Sequence, residues 1–162
     1  MINNTRAYSL LELLIASSIL IVGLSLGLTG AYSFAQSQYV AINMRQLQQS
    51  IYYARSLAIN QRQKVTICPS YNRHSCGGTW NQGLLVRSAN GDLKYFKLYK
   101  NTAWLLSLQQ SGYSNNRVEV HPNGMTDTNG HFNYKSLNSG YIPQFNLYFN
   151  KALRVYVARR AY

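Results

Sequence analysis

The sequence predicts an α+β protein, in which one very long helix is followed by antiparallel β-sheets. Three observations carry that expectation. No proline occurs between Tyr8 and Ala58, the apolar residues through that stretch keep helical spacing, and beyond Gln63 the pattern changes to short alternating segments separated by turn dipeptides. There is no internal repeat and no low-complexity linker, and 162 residues leave room for one modest globular domain beside the helix.

The first element is apolar from about Leu10 to Ala35. At ~1.5 Å per residue it extends roughly 39 Å, more than the ~30 Å hydrocarbon core of a bilayer. Glu12 is its one ionisable residue, and no other acid or base follows until Arg45. A charge near the bilayer centre costs on the order of 2.5–3.5 kcal/mol, so Glu12 is expected to have a partner. A secretory signal has an apolar region of only roughly 7–15 residues, and a plain single-pass anchor leaves Glu12 unexplained. Gly23, Gly27 and Gly30 are either soft points of the helix or close-packing positions between subunits.

The helix continues as an amphipathic segment. Val40, Met44, Leu47, Ile51, Ala54 and Ala58 are spaced alternately four and three residues apart, which makes one face, while Arg45, Gln46, Gln48, Gln49 and Arg55 occupy the others. The Met44 and Leu47 stripe is expected to be domain core. Strands are predicted at 64–68, 83–87, 93–99, 104–108, 118–120, 132–135, 145–149 and 153–158, with Asn90-Gly91 as a two-residue hairpin and turns at Pro122-Asn123-Gly124 and Asn129-Gly130.

The residues Ala7-Tyr8-Ser9-Leu10-Leu11-Glu12 resemble the cleavage motif of type IV prepilins. In that family a short leader ends in Gly or, less often, Ala, and an aromatic residue, a small hydroxyl residue, two apolar residues and Glu follow. The resemblance implies that a prepilin peptidase cuts between Ala7 and Tyr8 and N-methylates Tyr8. It also implies that Glu12 is neutralised in the filament by the terminal amine of a neighbouring subunit. The expected organisation is a leader at 1–7, a transmembrane and filament-core helix at 8–35, the amphipathic half of the helix at 36–63 and a globular β domain at 64–162. The expected location is the bacterial inner membrane, single-pass with the C-terminal domain periplasmic, and afterwards the extracellular pilus.

Cys68 and Cys76 are the only cysteines. In an exported domain such a pair favours a disulfide, and closing so short a loop contributes roughly 2.5 kcal/mol in the chain-entropy picture. A metal site using His74 fails on ligand supply, since His121 and His131 are distant in sequence and no acid is near. No metal and no cofactor is expected.

The run Cys68-Pro69-Ser70, then Cys76-Gly77-Gly78-Thr79-Trp80-Asn81-Gln82-Gly83, is similar to the segment after the first strand in the GspH and FimT group of minor pilins and pseudopilins. Val118-Glu119-Val120-His121-Pro122-Asn123-Gly124 is similar to that group's strand ending in Pro-x-Gly. Members of the FimT type, the closer likeness, are associated with DNA uptake in natural transformation and carry a C-terminal Gly-Arg-x-Arg motif. Its counterpart here is Leu153-Arg154-Val155-Tyr156, so the resemblance carries over only to Arg154.

The tail has a physical pattern of its own. Read as a strand from Leu153, it places Leu153, Val155 and Val157 on a core face and Arg154, Tyr156 and Arg160 on the other, with Lys151 and Arg159 close by. Guanidinium groups pair with phosphates, and an aromatic ring stacks on an unpaired base. The competing reading is an edge strand whose charges deter aggregation. Arg73, Lys94, Lys97, Lys100 and Arg117 are further basic residues that either extend such a surface or remain solvated charges.

Charge narrows the partners. Sixteen Lys and Arg stand against four acids, Glu12, Asp92, Glu119 and Asp127, for a net charge of +12. An acidic partner fits that balance, as does plain solubility. Catalysis is not expected, because paired carboxylates, a Gly-x-Ser-x-Gly elbow, a phosphate loop and a His-Glu-x-x-His helix are all missing. The expectation is therefore a minor pilin that captures DNA through Lys151, Arg154, Tyr156, Arg159 and Arg160, with major and minor pilins, the prepilin peptidase and the inner membrane as its other partners. The alternative is a structural minor pilin or type II secretion pseudopilin that primes or caps the filament tip without DNA.

Overall fold

The computed structural model describes residues 9–91, 93–99, 104–111, 116–136 and 144–160, and leaves undescribed the side chains at 26–33, 36–37, 104, 136, 144 and 159–160. Ala7, Tyr8, Asp92 and Lys100 fall outside the described residues. The order of elements is α1 (Leu10–Gln61), β1 (Val65–Pro69), a short 3-10 turn (Trp80–Gln82), β2 (Leu84–Ser88), β3 (Leu93–Phe96), β4 (Trp104–Gln110), β5 (Val118–Val120), β6 (Gly130–Ser136), β7 (Gln144–Phe149) and β8 (Val155–Arg160). Each strand coincides with a predicted one, shifted by no more than a few residues. The chain divides into two compact units, 1–38 and 39–162.

In the first unit Ser9 opens the helix, its Oγ accepting from the Leu11 backbone N–H at 3.3 Å. Leu10, Leu11, Leu13, Leu14, Ile15, Ile19, Leu20, Ile21, Val22 and Leu24 are all exposed, as is Glu12. A helix that is apolar on every side needs an apolar environment around it. Ser17, Ser18 and Ser25 turn their hydroxyls back onto carbonyls three residues earlier, at 2.8–3.0 Å, so their polar groups stay satisfied. Among the described residues no helix is long and apolar enough to cross a membrane. The expected span at 8–35 includes residues outside that description.

In the second unit the predicted stripe is the core. Val40, Met44, Leu47, Ile51, Ala54 and Ala58 are all buried, in one cluster with residues of both sheets. Asn43 is buried on the same face, which apolar spacing alone does not reveal. Its amide nitrogen donates to the Tyr99 carbonyl at 3.0 Å and the Tyr134 hydroxyl at 2.8 Å, while its oxygen accepts from the Tyr99 N–H at 2.9 Å. One side chain thereby joins the helix to the segment after β3 and to β6. Burial pushes the Tyr134 hydroxyl pKa upward, partly opposed by that bond from Asn43. The helix ends where Arg62 turns left-handed at φ 52°, with the Gln63 N–H returning to the Ala58 carbonyl.

Two four-stranded antiparallel sheets follow, ordered β3-β2-β1-β5 and β4-β6-β7-β8. In the first, Ile67 lies opposite Val86 and Val118, which stacks three buried β-branched residues in one row. The Asn90-Gly91 connection differs from the expected two-residue loop. Arg87 pairs with Leu93, a register that leaves an odd number of residues between paired positions and so cannot close on a two-residue loop. Ser88, the last residue of β2, has a buried hydroxyl that donates to Gln61 Oε1 at 2.7 Å and accepts from the Asn90 N–H. Trp80 packs edge-on against Phe132 of the second sheet, with centroids 4.9 Å apart, and its Nε1 donates to Asn116. Gly83, at φ 141°, sits where any Cβ would overlap the Tyr95 ring, whose hydroxyl donates to the Gln82 carbonyl.

Replacing Asn43 with Ala removes three hydrogen bonds, two of them to the Tyr99 backbone, and should cost about 2–3 kcal/mol. Urea denaturation of the full chain in nonionic micelles measures it, with exposed Gln49→Ala, expected within about 0.5 kcal/mol of wild type, as the control.

Candidate functional site

The candidate surface is built by the hairpin β7–β8 and its neighbour β6. After Phe149 the chain makes a tight turn: the Leu153 N–H donates to the Asn150 carbonyl at 2.8 Å, and the Arg154 N–H to Asn150 Oδ1 at 2.9 Å. Leu153 has φ 52°, a left-handed conformation, with its side chain fully buried. This corrects the sequence reading in two ways. The strand begins at Val155, so Leu153 and Arg154 belong to the turn, and Leu153 reaches the core from there rather than along a strand. Val157 faces the core side opposite Leu147 but is 47% exposed, because β8 is the edge strand and extends past its cover.

Register assembles the other face. Pairing places His131 opposite Tyr148, and Tyr148 opposite Tyr156, so the three rings form one row across β6, β7 and β8. The Tyr148 and Tyr156 rings stack at 5.0 Å and 13°, and His131 and Tyr148 at 5.0 Å and 31°. Asn146, buried on the same face, donates to the Tyr148 hydroxyl at 3.3 Å. Tyr156 ends the row and is 61% exposed. His131 and Tyr148 were not singled out in the sequence, where 17 and 8 residues separate the members of the row (131 to 148, 148 to 156).

The expected cations fare unequally. Arg154 is exposed in the turn and has no ion-pair partner among the described residues. Lys151 is exposed but lies beside Asp127, His121 and Met125 at a separate groove. Its backbone joins the turn to the loop before β6: the Lys151 N–H donates to Asn129 Oδ1 and its carbonyl accepts from the Thr126 N–H. Arg160 falls at the register position that shares a face with Tyr156, and Arg159 at the opposite one; their side chains lie outside the described residues.

Of the other basic residues named from the sequence, Arg117, Arg73 and Lys94 are engaged elsewhere. Arg117 and Lys64 both pair with Glu119, at 3.2 and 2.6 Å. Arg73 lies over the Tyr95 ring, and Lys94 over the Tyr53 ring with its Nζ 4.2 Å from the centroid. Lys97 is exposed. Cys68 and Cys76 form the expected disulfide, with Cα atoms 5.5 Å apart, closing a loop that exposes Tyr71 and His74. No group of three or more potential ligands that could hold a metal occurs among the described residues.

The surroundings of the Asp127 carboxylate shift its titration. Its pKa is lowered chiefly by the hydrogen bond with His121 Nε2 at 2.9 Å, an effect opposed by desolvation and reinforced by the positive charges of His121, Lys64 and Lys151.

A long helix followed by antiparallel sheets, with a disulfide loop after the first strand, is the type IV pilin-like fold. The chain belongs to the GspH family, described as type II transport protein GspH, which matches residues 43–149. Two crystal forms of the Pseudomonas aeruginosa type IV minor pilin FimU share the fold at 18% identity. One covers 77% of this chain and 92% of its own, with TM-score 0.58, and the other 73% and 91%, with TM-score 0.52. No curated protein matches the sequence.

Two measurements follow from this geometry. Leu153→Gly relieves the left-handed strain but removes a buried side chain, and should destabilise by about 1–3 kcal/mol in urea. A carboxylate with a depressed folded pKa adds stability that is present above its unfolded value near ~3.9 and is lost as pH falls through the folded one. The midpoint difference between wild type and Asp127→Asn should therefore be full just above about pH 4 and close at lower pH.

Proposed function

We propose that this chain is a minor pilin that holds extracellular DNA during uptake, with little sequence preference. The observation carrying the reading is Arg154, an exposed guanidinium free of any carboxylate among the described residues, two positions before the open Tyr156 ring. Lys151 in the same turn and Arg159 and Arg160 at the end of β8 add positive charge along one hairpin. The net charge of +12 draws a polyanion from a distance, and phosphate contacts then supply most of the affinity.

The N-terminal unit supports the filament part of this role. A prepilin peptidase cuts after Ala7 and methylates Tyr8, the helix crosses the inner membrane once with the β domain in the periplasm, and Glu12 pairs with a neighbour's terminal amine on assembly with other pilins. The helix that is apolar on every side favours this account. The GspH description favours a second reading, a type II secretion pseudopilin or structural minor pilin at the filament tip, with no DNA bound.

Titration of the full chain in nonionic micelles with labelled DNA separates the two. Affinity should fall linearly on a log–log salt plot with a slope of ~0.9 per phosphate contacted, and Arg154→Gln should lower that slope by about 1. Absence of binding at low salt would leave the structural reading.

A further inference from the structure

The row of rings borders a groove of about 510 Å³ whose lining includes Gln109, Asn129, His131, Tyr148, Asn150 and Tyr156. Among the described residues no Lys, Arg, Asp or Glu lines it, so the part of a ligand held there is uncharged. We propose that this groove takes an unpaired nucleobase, making the chain's DNA contact selective for single strands; this rests on the DNA reading above.

The geometry carries the proposal in three steps. His131 and Tyr156 flank Tyr148, and the ring at the edge strand leaves its outer side in solvent, so a flat ligand ring extends the stack there. The Asn129 and Asn150 side-chain oxygens are committed to the Lys151 and Arg154 N–H groups, each at 2.9 Å. That leaves their amide nitrogens as donors, and the ring nitrogens and carbonyls of bases are acceptors. Arg154 lies in the chain between the lining residues Asn150 and Tyr156. The ligand is therefore a flat neutral ring with an anion attached, which describes a nucleotide and not a neutral sugar. In a duplex both base faces and the pairing edge are occupied, so only an unpaired base can enter.

The test compares three labelled probes against the full chain in nonionic micelles at matched salt: a short oligothymidylate, a duplex of equal length and a neutral malto-oligosaccharide. The expected result is single-strand binding roughly tenfold tighter than duplex, a preference that Tyr156→Phe keeps and Tyr156→Leu largely erases. His131→Leu, at the other end of the row, should narrow the preference too, and unchanged thermal midpoints exclude misfolding. Equal affinity for both DNA forms, or a preference that survives Tyr156→Leu, overturns the groove while leaving DNA binding itself intact. Failure of both DNA probes overturns both readings, and binding of the sugar alone, lost in Tyr156→Leu, reassigns the groove to a glycan.

Discussion

The stripe from Val40 to Ala58 must leave water, and two sheets that do not pair with each other are held in one domain because both share it. Each buried Leu, Ile, Val or Met side chain contributes roughly 1.5–3 kcal/mol. That attraction has no direction of its own. Asn43 supplies direction, since its amide meets backbone after β3 and a side chain of β6 at once. Sliding or rotating the helix by one residue would break those bonds and leave buried polar groups unpaired, so the helix has one register on the domain.

The β7–β8 turn inherits that rigidity. Leu153 is strained locally yet fully buried, so its side chain anchors the turn in the core while its backbone bends the chain sharply enough to present Arg154 outward. Asn129 and Asn150 each use one oxygen to fix the turn from either side. A cation on a turn held this way stands in a defined place relative to the ring row, although its own side chain remains free to move.

Charge is distributed by scarcity of acids. Glu119 serves both Lys64 and Arg117, and Asp127 serves His121 with Lys151 close by. Exposed pairs of this kind add little stability, but they decide which cations stay available. Arg154 is among those left over, as are Arg45, Arg87, Lys97 and Lys135 among the described residues.

Periodicity is a local property, and the parts of the molecule that follow from it were legible in the chain: the helical stripe, all eight strands and the disulfide pair. Resemblance in the segment from Cys68 to Gly83 pointed to the family that the match over 43–149 establishes. Asn43 was not legible, because a polar residue on an apolar face declares itself only when its partners, 56 and 91 residues away, arrive. The start of β8 was misjudged for a similar reason: alternation continues through Leu153 in the sequence, while the turn that interrupts it depends on Asn150. The row of His131, Tyr148 and Tyr156 is likewise a product of tertiary structure. Sequence by itself determined that Tyr156 lies on a strand beside basic residues; cross-strand register alone decided which rings stand next to it, since hydrogen bonding between strands, and no local preference, sets that alignment.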